Sequence, residues 1–350
     1  MKPRAMLDLA RRQVIVDPRP SRVVALGGGT GLPVVLQALR RHLSEDCRIT
    51  AVVTAADDGG SSGVLRQQYG VLPPGDIRNC LTALARVAPE VSAALHFRFD
   101  GGSAQHPVGN LLLTALDMVA ADEVAAIRLA AELLSVDGSV LPSTIDRVQL
   151  VADLLDGRSI HGESQIPCGG VPIRRVRIDP PEATPTPGVL EALREADAMI
   201  LGPGSLYTSV LATLVIPGIA EAVRRSAAVR IFICNAMTEV GETDGYGVED
   251  HLRALAAHGL PSEALDYVVV STSSISPKVR ARYLADGARP VDAASVPSGE
   301  PPQIIRADVL EGGPVVRHDP DKLGLILREL VMGPLRARAT KLADGAVRSR

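Results

Sequence analysis

Glycine beside an acid or a hydroxyl recurs at five places in the 350-residue chain: Gly27–Gly31, Asp57–Gly63, Pro73–Asp76, Gly202–Ser205 and Gly241–Gly245. Glycine lets a backbone approach a ligand closely. Amides at the start of a helix attract an anion. Such residues, placed after apolar runs or at helix starts, suit the binding of a phosphorylated, nucleotide-like small molecule.

Gly28, Gly29, Thr30 and Gly31 follow the apolar run Arg22–Leu26 and precede Val35, Leu36, Leu39 and Leu43 at helical spacing. That is the context of a phosphate loop. Leu32 takes the last glycine position of a GxGxxG pattern and no Walker lysine follows, so a dinucleotide site is one option and a ligand-free turn another. Asp57 and Asp58 end a second apolar run, Ile49–Thr54. An acid there can take a ribose hydroxyl, or the pair can hold Mg²⁺ against phosphate oxygens. Gly60, Ser61 and Ser62 continue the same segment as candidate ligand contacts.

Behind Pro73-Pro74 stand Asp76, Arg78 and Asn79. Asp76 is placed to cap a helix, either with or without a ligand contact. Arg78 could reach a phosphate with two N–H groups. Gly109 and Asn110 open a further helix after His106-Pro107, where His106 could be a base but, with no carboxylate at a recognisable spacing, reads rather as a structural or surface residue. Gly202, Gly204, Ser205, Tyr207, Thr208 and Ser209 form a second strand-to-helix loop, and Asn235, Thr243 and Asp244 follow the next strand. Loops after adjacent parallel strands meet at one sheet edge, so all these groups are expected around one cleft. No nucleophile elbow, histidine metal pair or Cys–His arrangement is legible, and no nucleophile–base pair.

The elements that must carry these loops begin with strand, glycine turn, helix and strand, which implies a parallel sheet. The pattern predicts helices over Pro33–Leu43, Val91–Phe99, Gly109–Ala120 and Val124–Leu134, and one starting at Asp76. Asp57–Gly75 reads as a long ligand loop. Residues 138–178 read as a small β-rich excursion with strands at Val140–Pro142, Arg147–Val151, Ser159–Gly162 and Arg174–Ile178. The sheet resumes at Ala198–Leu201, Val229–Cys234 and Tyr267–Val270, with helices Gly218–Arg225 and Val248–Ala257 between. Pro297–Pro302 is a predicted loop, Ile304–Val309 and Pro314–Arg317 are late strands, and Asp321–Met332 is a closing helix. The fold class is α/β: a Rossmann-like, mostly parallel sheet with helices on both faces. A single domain spans 22–335, between a flexible extension 1–21 and a flexible basic tail 336–350.

Composition narrows the function. With 46% apolar and 22% charged residues the chain can bury a full core. There is no Trp, and only three Phe and five Tyr, so little is available to stack on bases. A formal net charge of −3 argues against nucleic acid as partner. Cys47, Cys80, Cys168 and Cys234 form no CxxC pair and read as buried, reduced thiols of a cytoplasmic protein. The apolar stretch Met199–Ala220 holds Pro203, Pro217 and three glycines, so no membrane span is expected there.

Six ordered motifs carry a resemblance: Gly-Gly-Gly-Thr-Gly-Leu (27–32), Ala-Asp-Asp-Gly-Gly-Ser-Ser-Gly (56–63), Pro-Pro-Gly-Asp-Ile-Arg-Asn (73–79), Gly-Asn-Leu (109–111), Gly-Pro-Gly-Ser-Leu-Tyr-Thr-Ser (202–209) and the Asn235–Tyr246 segment. From Val23 to Val331 the chain resembles the gluconeogenesis factor (YvcK) family, within the CofD-like superfamily of 2-phospho-L-lactate transferases. The resemblance implies a CofD-like fold, a bacterial cytosolic setting and a role in cell shape and wall synthesis during growth on gluconeogenic carbon sources. It implies a UDP-sugar ligand, UDP-N-acetylglucosamine foremost. It also makes Arg317, in Arg317-His318-Asp319, a partner for a diphosphate. In the transferase relatives, which join a phospholactyl group to a deazaflavin alcohol with a divalent metal, the acid pair lies near the phosphates; here that is Asp57 and Asp58. Their deazaflavin site is more aromatic than this chain can offer. Two functions are therefore expected: a nucleotide-sugar sensor acting through a cell-wall synthesis protein, and a Mg²⁺-dependent phosphoryl-group transferase. An NAD-binding oxidoreductase is a weaker third. A homo-oligomer is the expected assembly.

Overall fold

Alternate residues of the first strand, β1 (Ser21–Gly27), face opposite cores: Val23 and Ala25 one, Val24 and Leu26 the other. A strand buried on both faces belongs to a sheet covered twice, the setting of parallel β-structure. The computed structural model describes residues 20–99, 106–292 and 301–348. The predicted extension 1–21, apart from Pro20 and Ser21, lies outside these residues, as does most of the loop Pro297–Pro302.

Along the chain β1 is followed by α1 (Gly31–Leu43), β2 (Cys47–Val53), α2 (Gly60–Tyr69), α3 (Pro74–Leu84), α4 (Pro89–His96), α5 (Val108–Val119) and α6 (Glu123–Leu133). Then come β3 (Ser139–Pro142), β4 (Gln149–Leu154), β5 (Ser159–His161), β6 (Ile173–Asp179), α7 (Val189–Glu195) and β7 (Ala198–Leu201). A π-helical segment, Leu206–Leu211, runs into α8 (Ala212–Leu214) and is followed by α9 (Ile219–Arg225) and β8 (Val229–Ile233). The remainder is α10 (Val248–Ala257), β9 (Tyr267–Ser271), α11 (Pro277–Ala285), β10 (Gln303–Ala307) and α12 (Pro320–Arg348).

Seven strands form one parallel sheet in the order β10-β9-β8-β7-β1-β2-β3. The chain builds outward from β1 to β3, returns to place β7 on the other side of β1, and builds outward again. That reversal between β1 and β7 opens a crevice at their carboxyl ends. Strands β5-β4-β6 form a separate antiparallel sheet. Leu36, Leu39, Ile77, Leu81, Leu323 and Leu327 cover one face of the large sheet. Leu150, Val176, Leu211, Leu252 and Leu255 fill the other, so the small sheet and its helices form the opposite layer. Each leucine so buried contributes about 1.5–3 kcal/mol relative to exposure.

The α/β fold thus matches the sequence expectation, with five corrections of detail. Gly60–Tyr69 is helical rather than loop, closed at Gly70 by a left-handed residue whose amide bonds Arg66 O. Val140–Pro142 joins the main sheet beside β2 instead of the small one. Asp76 lies inside α3, whose N-cap is Pro73. Pro314–Arg317 forms no strand; an isolated bridge, Leu310–His318, joins the residues on either side of it. The closing helix, predicted to end at Met332, runs on to Arg348. No described helix is long and apolar enough to cross a membrane, and the pair Leu206–Leu214 and Ile219–Arg225 is bent by 77°. Most of its apolar side chains are buried in the core.

Candidate functional site

The loops after β1 and β7 are in contact. A Cβ on Gly31 would lie 2.1 Å from Pro203 O, and one on Gly204 would lie 3.2 Å from Gly28 O, so both close approaches require glycine. Gly29 adopts a left-handed φ of 61° to make the turn. Thr30 caps α1 without a side-chain hydrogen bond, and the first amides of a helix have no partner within it. In α1 the Leu32 amide bonds Gly28 O and Pro33 has no N–H, so it is the Thr30–Gly31 turn that faces a cleft of about 320 Å³, lined by Gly29, Thr30, Gly31, Gly204, Ser205, Asn235, Glu239, Arg317 and His318, among others. Asn235 Oδ1 accepts from the Gly204 amide at 3.1 Å and so fixes the β7 loop. Exposed Arg317 brings positive charge to the rim.

An acid wall stands beside this donor-rich cleft. Asp76 Oδ2 accepts from the Gly29 amide at 2.7 Å. Burial pushes Asp76 up to about 6, the charge of Asp57 adding to it. Asp57 accepts from the Gly59 amide at 2.9 Å and is raised chiefly by burial. Asp58 accepts from the Ser164 amide at 2.9 Å, which ties β2 to the segment after β5. Glu163, brought from that segment, is pushed up to about 8 by burial and by Asp57 and Asp58. Glu242, nearly buried, is pushed up to about 7 by burial and by Glu239, and accepts from Thr208 Oγ1 at 3.1 Å.

A third group extends from the start of α3. Arg78 donates to Asn110 Oδ1 at 2.5 Å and to Asn79 Oδ1 at 2.7 Å. Asn110 Nδ2 donates to Ser61 Oγ at 2.9 Å, and Ser61 Oγ lies 2.7 Å from His106 Nδ1. Ser62 Oγ accepts from the Gly75 amide at 3.1 Å, joining α2 to α3.

The fold therefore brings Gly28, Gly29, Thr30, Gly31, Gly204, Ser205, Ser209, Asn235 and Arg317 to one crevice; Ser209 Oγ would be 3.3 Å from a Cβ on Gly29. Gly202 shapes the β7 turn with a φ of 71°. Asp57, Asp58, Gly60, Ser61, Ser62, Asp76, Arg78, Asn79 and Asn110 gather on the acid side, and Gly109 lies against the Arg78 stem, where a Cβ would meet Cδ at 2.7 Å. Tyr207 points elsewhere: it is buried, its hydroxyl 2.8 Å from that of Tyr246, towards the small sheet. Thr243 and Asp244 are spent inside their own turn, accepting from the Glu239 and Gly241 amides at 2.8 and 2.7 Å. Glu163, Glu239, Glu242 and the Ser61–His106 contact escaped the sequence reading. Only folding brings Ser61 and His106 together, 45 positions apart. Of the four cysteines Cys168 is exposed and the other three are buried, which corrects the expectation of four buried thiols.

Among the described residues no three His, Cys, Asp or Glu side chains converge in a metal-holding set. Asp57 and Asp58 diverge, one towards Gly59, the other towards Ser164. The described side chains alone do not form a magnesium cage.

Residues 23–309 match the family model described as 2-phospho-L-lactate transferase CofD. A gluconeogenesis factor of Halalkalibacterium halodurans is 41% identical over 315 residues, 89% of this chain and 97% of that protein. The gluconeogenesis factor of Bacillus subtilis is 40% identical over 314 residues, 89% of this chain and 98% of that one. A crystal structure of a protein member of the UPF0052 family from Bacillus halodurans superposes with a TM-score of 0.80 at 39% identity, covering 88% of this chain and 99% of that one. The chain belongs to the CofD family. The gluconeogenesis factors of Halalkalibacterium halodurans and Bacillus subtilis are relatives matched over nearly their whole length.

Proposed function

We propose that this protein is a nucleotide-sugar receptor, with UDP-N-acetylglucosamine as its ligand. One observation carries the reading: the glycine turns after β1 and β7 interlock, and the uncapped start of α1 shares a cleft with Arg317. A diphosphate has the backbone of Thr30 and Gly31 and a guanidinium to meet there. In this reading the neighbouring carboxylates accept from sugar hydroxyls, and the sugar lies on the acid side. In this proposal occupancy of the cleft reports nucleotide-sugar supply during gluconeogenic growth to a cytoplasmic partner in cell-wall synthesis, and so regulates cell shape.

Calorimetric titration with UDP-N-acetylglucosamine, UDP and NAD tests it. Binding of both uridine compounds with no NAD heat is expected; no uridine-dependent heat removes the proposal. A second reading, phosphoryl-group transfer of the 2-phospho-L-lactate type, draws support from Asp57 and Asp58 beside the crevice and from the family model's name. Incubation with Mg²⁺, a lactyl-diphospho-guanosine donor and a deazaflavin acceptor decides it, product formation at enzyme excess being the outcome that would replace the receptor.

A further inference from the structure

Arg78 sets the direction of the hydrogen bonds that end at Ser61. A guanidinium only donates, so the Asn110 amide must turn its oxygen to Arg78, at 2.5 Å. Its nitrogen then faces Ser61 Oγ and donates to it at 2.9 Å. Among the described residues the Ser61 hydroxyl has no acceptor besides His106 Nδ1, at 2.7 Å. In the tautomer that carries its own proton on Nε2, His106 Nδ1 accepts the Ser61 proton across this contact.

We propose that Ser61 is a nucleophile activated by His106, and that it accepts acyl groups from esters. This goes beyond the receptor proposed above and does not depend on it. A hydroxyl 2.7 Å from a basic imidazole nitrogen is the contact that serine nucleophiles use. Asn110, nearly fully buried and held by Arg78, donates into the same oxygen and stabilises it as negative charge develops. Ser61 also sits in the first turn of the ten-residue α2, where amides have no partner within the helix. Ser61 is half-buried next to exposed Gly60, so a small ester can reach it.

The surroundings select the electrophile. Asp57 hydrogen-bonds Ser62, the next residue. A phosphate dianion is repelled by that carboxylate, whereas a neutral ester carbonyl is not. Ser61 Oγ attacks the carbonyl carbon, the Oγ–C bond forms, and the hydroxyl proton passes to His106 Nδ1. The ester C–O bond then breaks and the departing alkoxide takes that proton from His106, leaving an acyl-serine and a free alcohol. Water, deprotonated by His106, repeats the step, releases the acid and restores Ser61.

A fluorophosphonate probes the same attack: the Oγ–P bond forms as fluoride leaves. Intact mass and peptide mapping of the full chain should show one adduct, on the peptide holding Ser61. Ser61→Ala should lose it, and His106→Gln should label roughly a hundredfold more slowly, the usual worth of a general base. Melting curves of both variants establish that they are folded, and p-nitrophenyl acetate release should follow the same order. Absence of an adduct on Ser61 in the wild-type chain, or an equal labelling rate in His106→Gln, overturns the proposal.

Discussion

Asp76 holds the amide of Gly29 through a 2.7 Å hydrogen bond, so the glycine loop after β1 carries an acid of its own. An anion in the cleft has to lie beside that carboxylate. Burial brings Asp76 to about 6. The affinity for UDP-N-acetylglucosamine, whose diphosphate diester does not itself titrate here, should rise as pH falls through that value. Titration calorimetry on either side of it measures the slope, and Asp76→Asn should flatten it. An unchanged slope in the variant would show that Asp76 is not the group responsible.

The acid wall makes stability depend on pH with a definite sign. Asp76, Glu242 and Glu163 are raised to about 6, 7 and 8, with burial the first cause each time. In the unfolded chain such groups titrate near 4. Between these limits the folded state binds more protons, so stability is present at the acid end and is lost as pH rises. The melting midpoint should fall from the acid to the alkaline side of this window, and Glu163→Gln should reduce the fall. A midpoint that climbs with pH would contradict the arrangement.

The interlocked turns can be tested with one methyl group. Gly31→Ala places its Cβ 2.1 Å from Pro203 O, a backbone atom that cannot move aside cheaply. A loss of about 1–3 kcal/mol is expected, together with weakened ligand heat. Gly312→Ala meets nothing within 4 Å and should stay within about 0.5 kcal/mol of wild type. Chemical denaturation of the two variants side by side distinguishes contact from composition.

Arg317→Ala should leave the melting midpoint unchanged, because the side chain is exposed. Its effect should fall on the diphosphate: a charge-assisted hydrogen bond is worth about 1.5–3 kcal/mol, roughly ten- to hundredfold in affinity. The same titration at raised salt should narrow the gap between variant and wild type.

Asn110→Ala should be costly for a different reason. It removes one of the two side-chain acceptors from a guanidinium that is 9% exposed and already has an unpartnered Nε. We expect about 2–3 kcal/mol of destabilisation, read by urea unfolding. A change below 0.5 kcal/mol, the ordinary scatter of surface substitutions, would show that water replaces the amide.

Much of the fold was legible because its elements are long and periodic. Val35, Leu36, Leu39 and Leu43 mark α1 without help, and Ala198–Leu201 was predicted to the residue. The misses have physical causes. Gly-Ser-Ser-Gly is a poor helix sequence, yet α2 forms because Leu65 is buried and Ser62 bonds the Gly75 amide. Val140–Pro142 gives no sign of which sheet it joins, since parallel pairing with β2 is non-local. The glycine turns were readable, because backbone conformation is local. Glu163, Glu239 and the Ser61–His106 contact were not, because only tertiary packing decides what faces them.

Cys168 lies on the segment that also carries Glu163 and Ser164, and it is the exposed thiol of the four. The other three are shielded: burial pushes Cys47 and Cys234 up to about 12 and Cys80 well above its ordinary value. A maleimide dye would therefore attach to a single natural handle without engineering. Because Asp58 tethers that segment to the crevice through the Ser164 amide, fluorescence from this position offers a direct optical gauge of what enters.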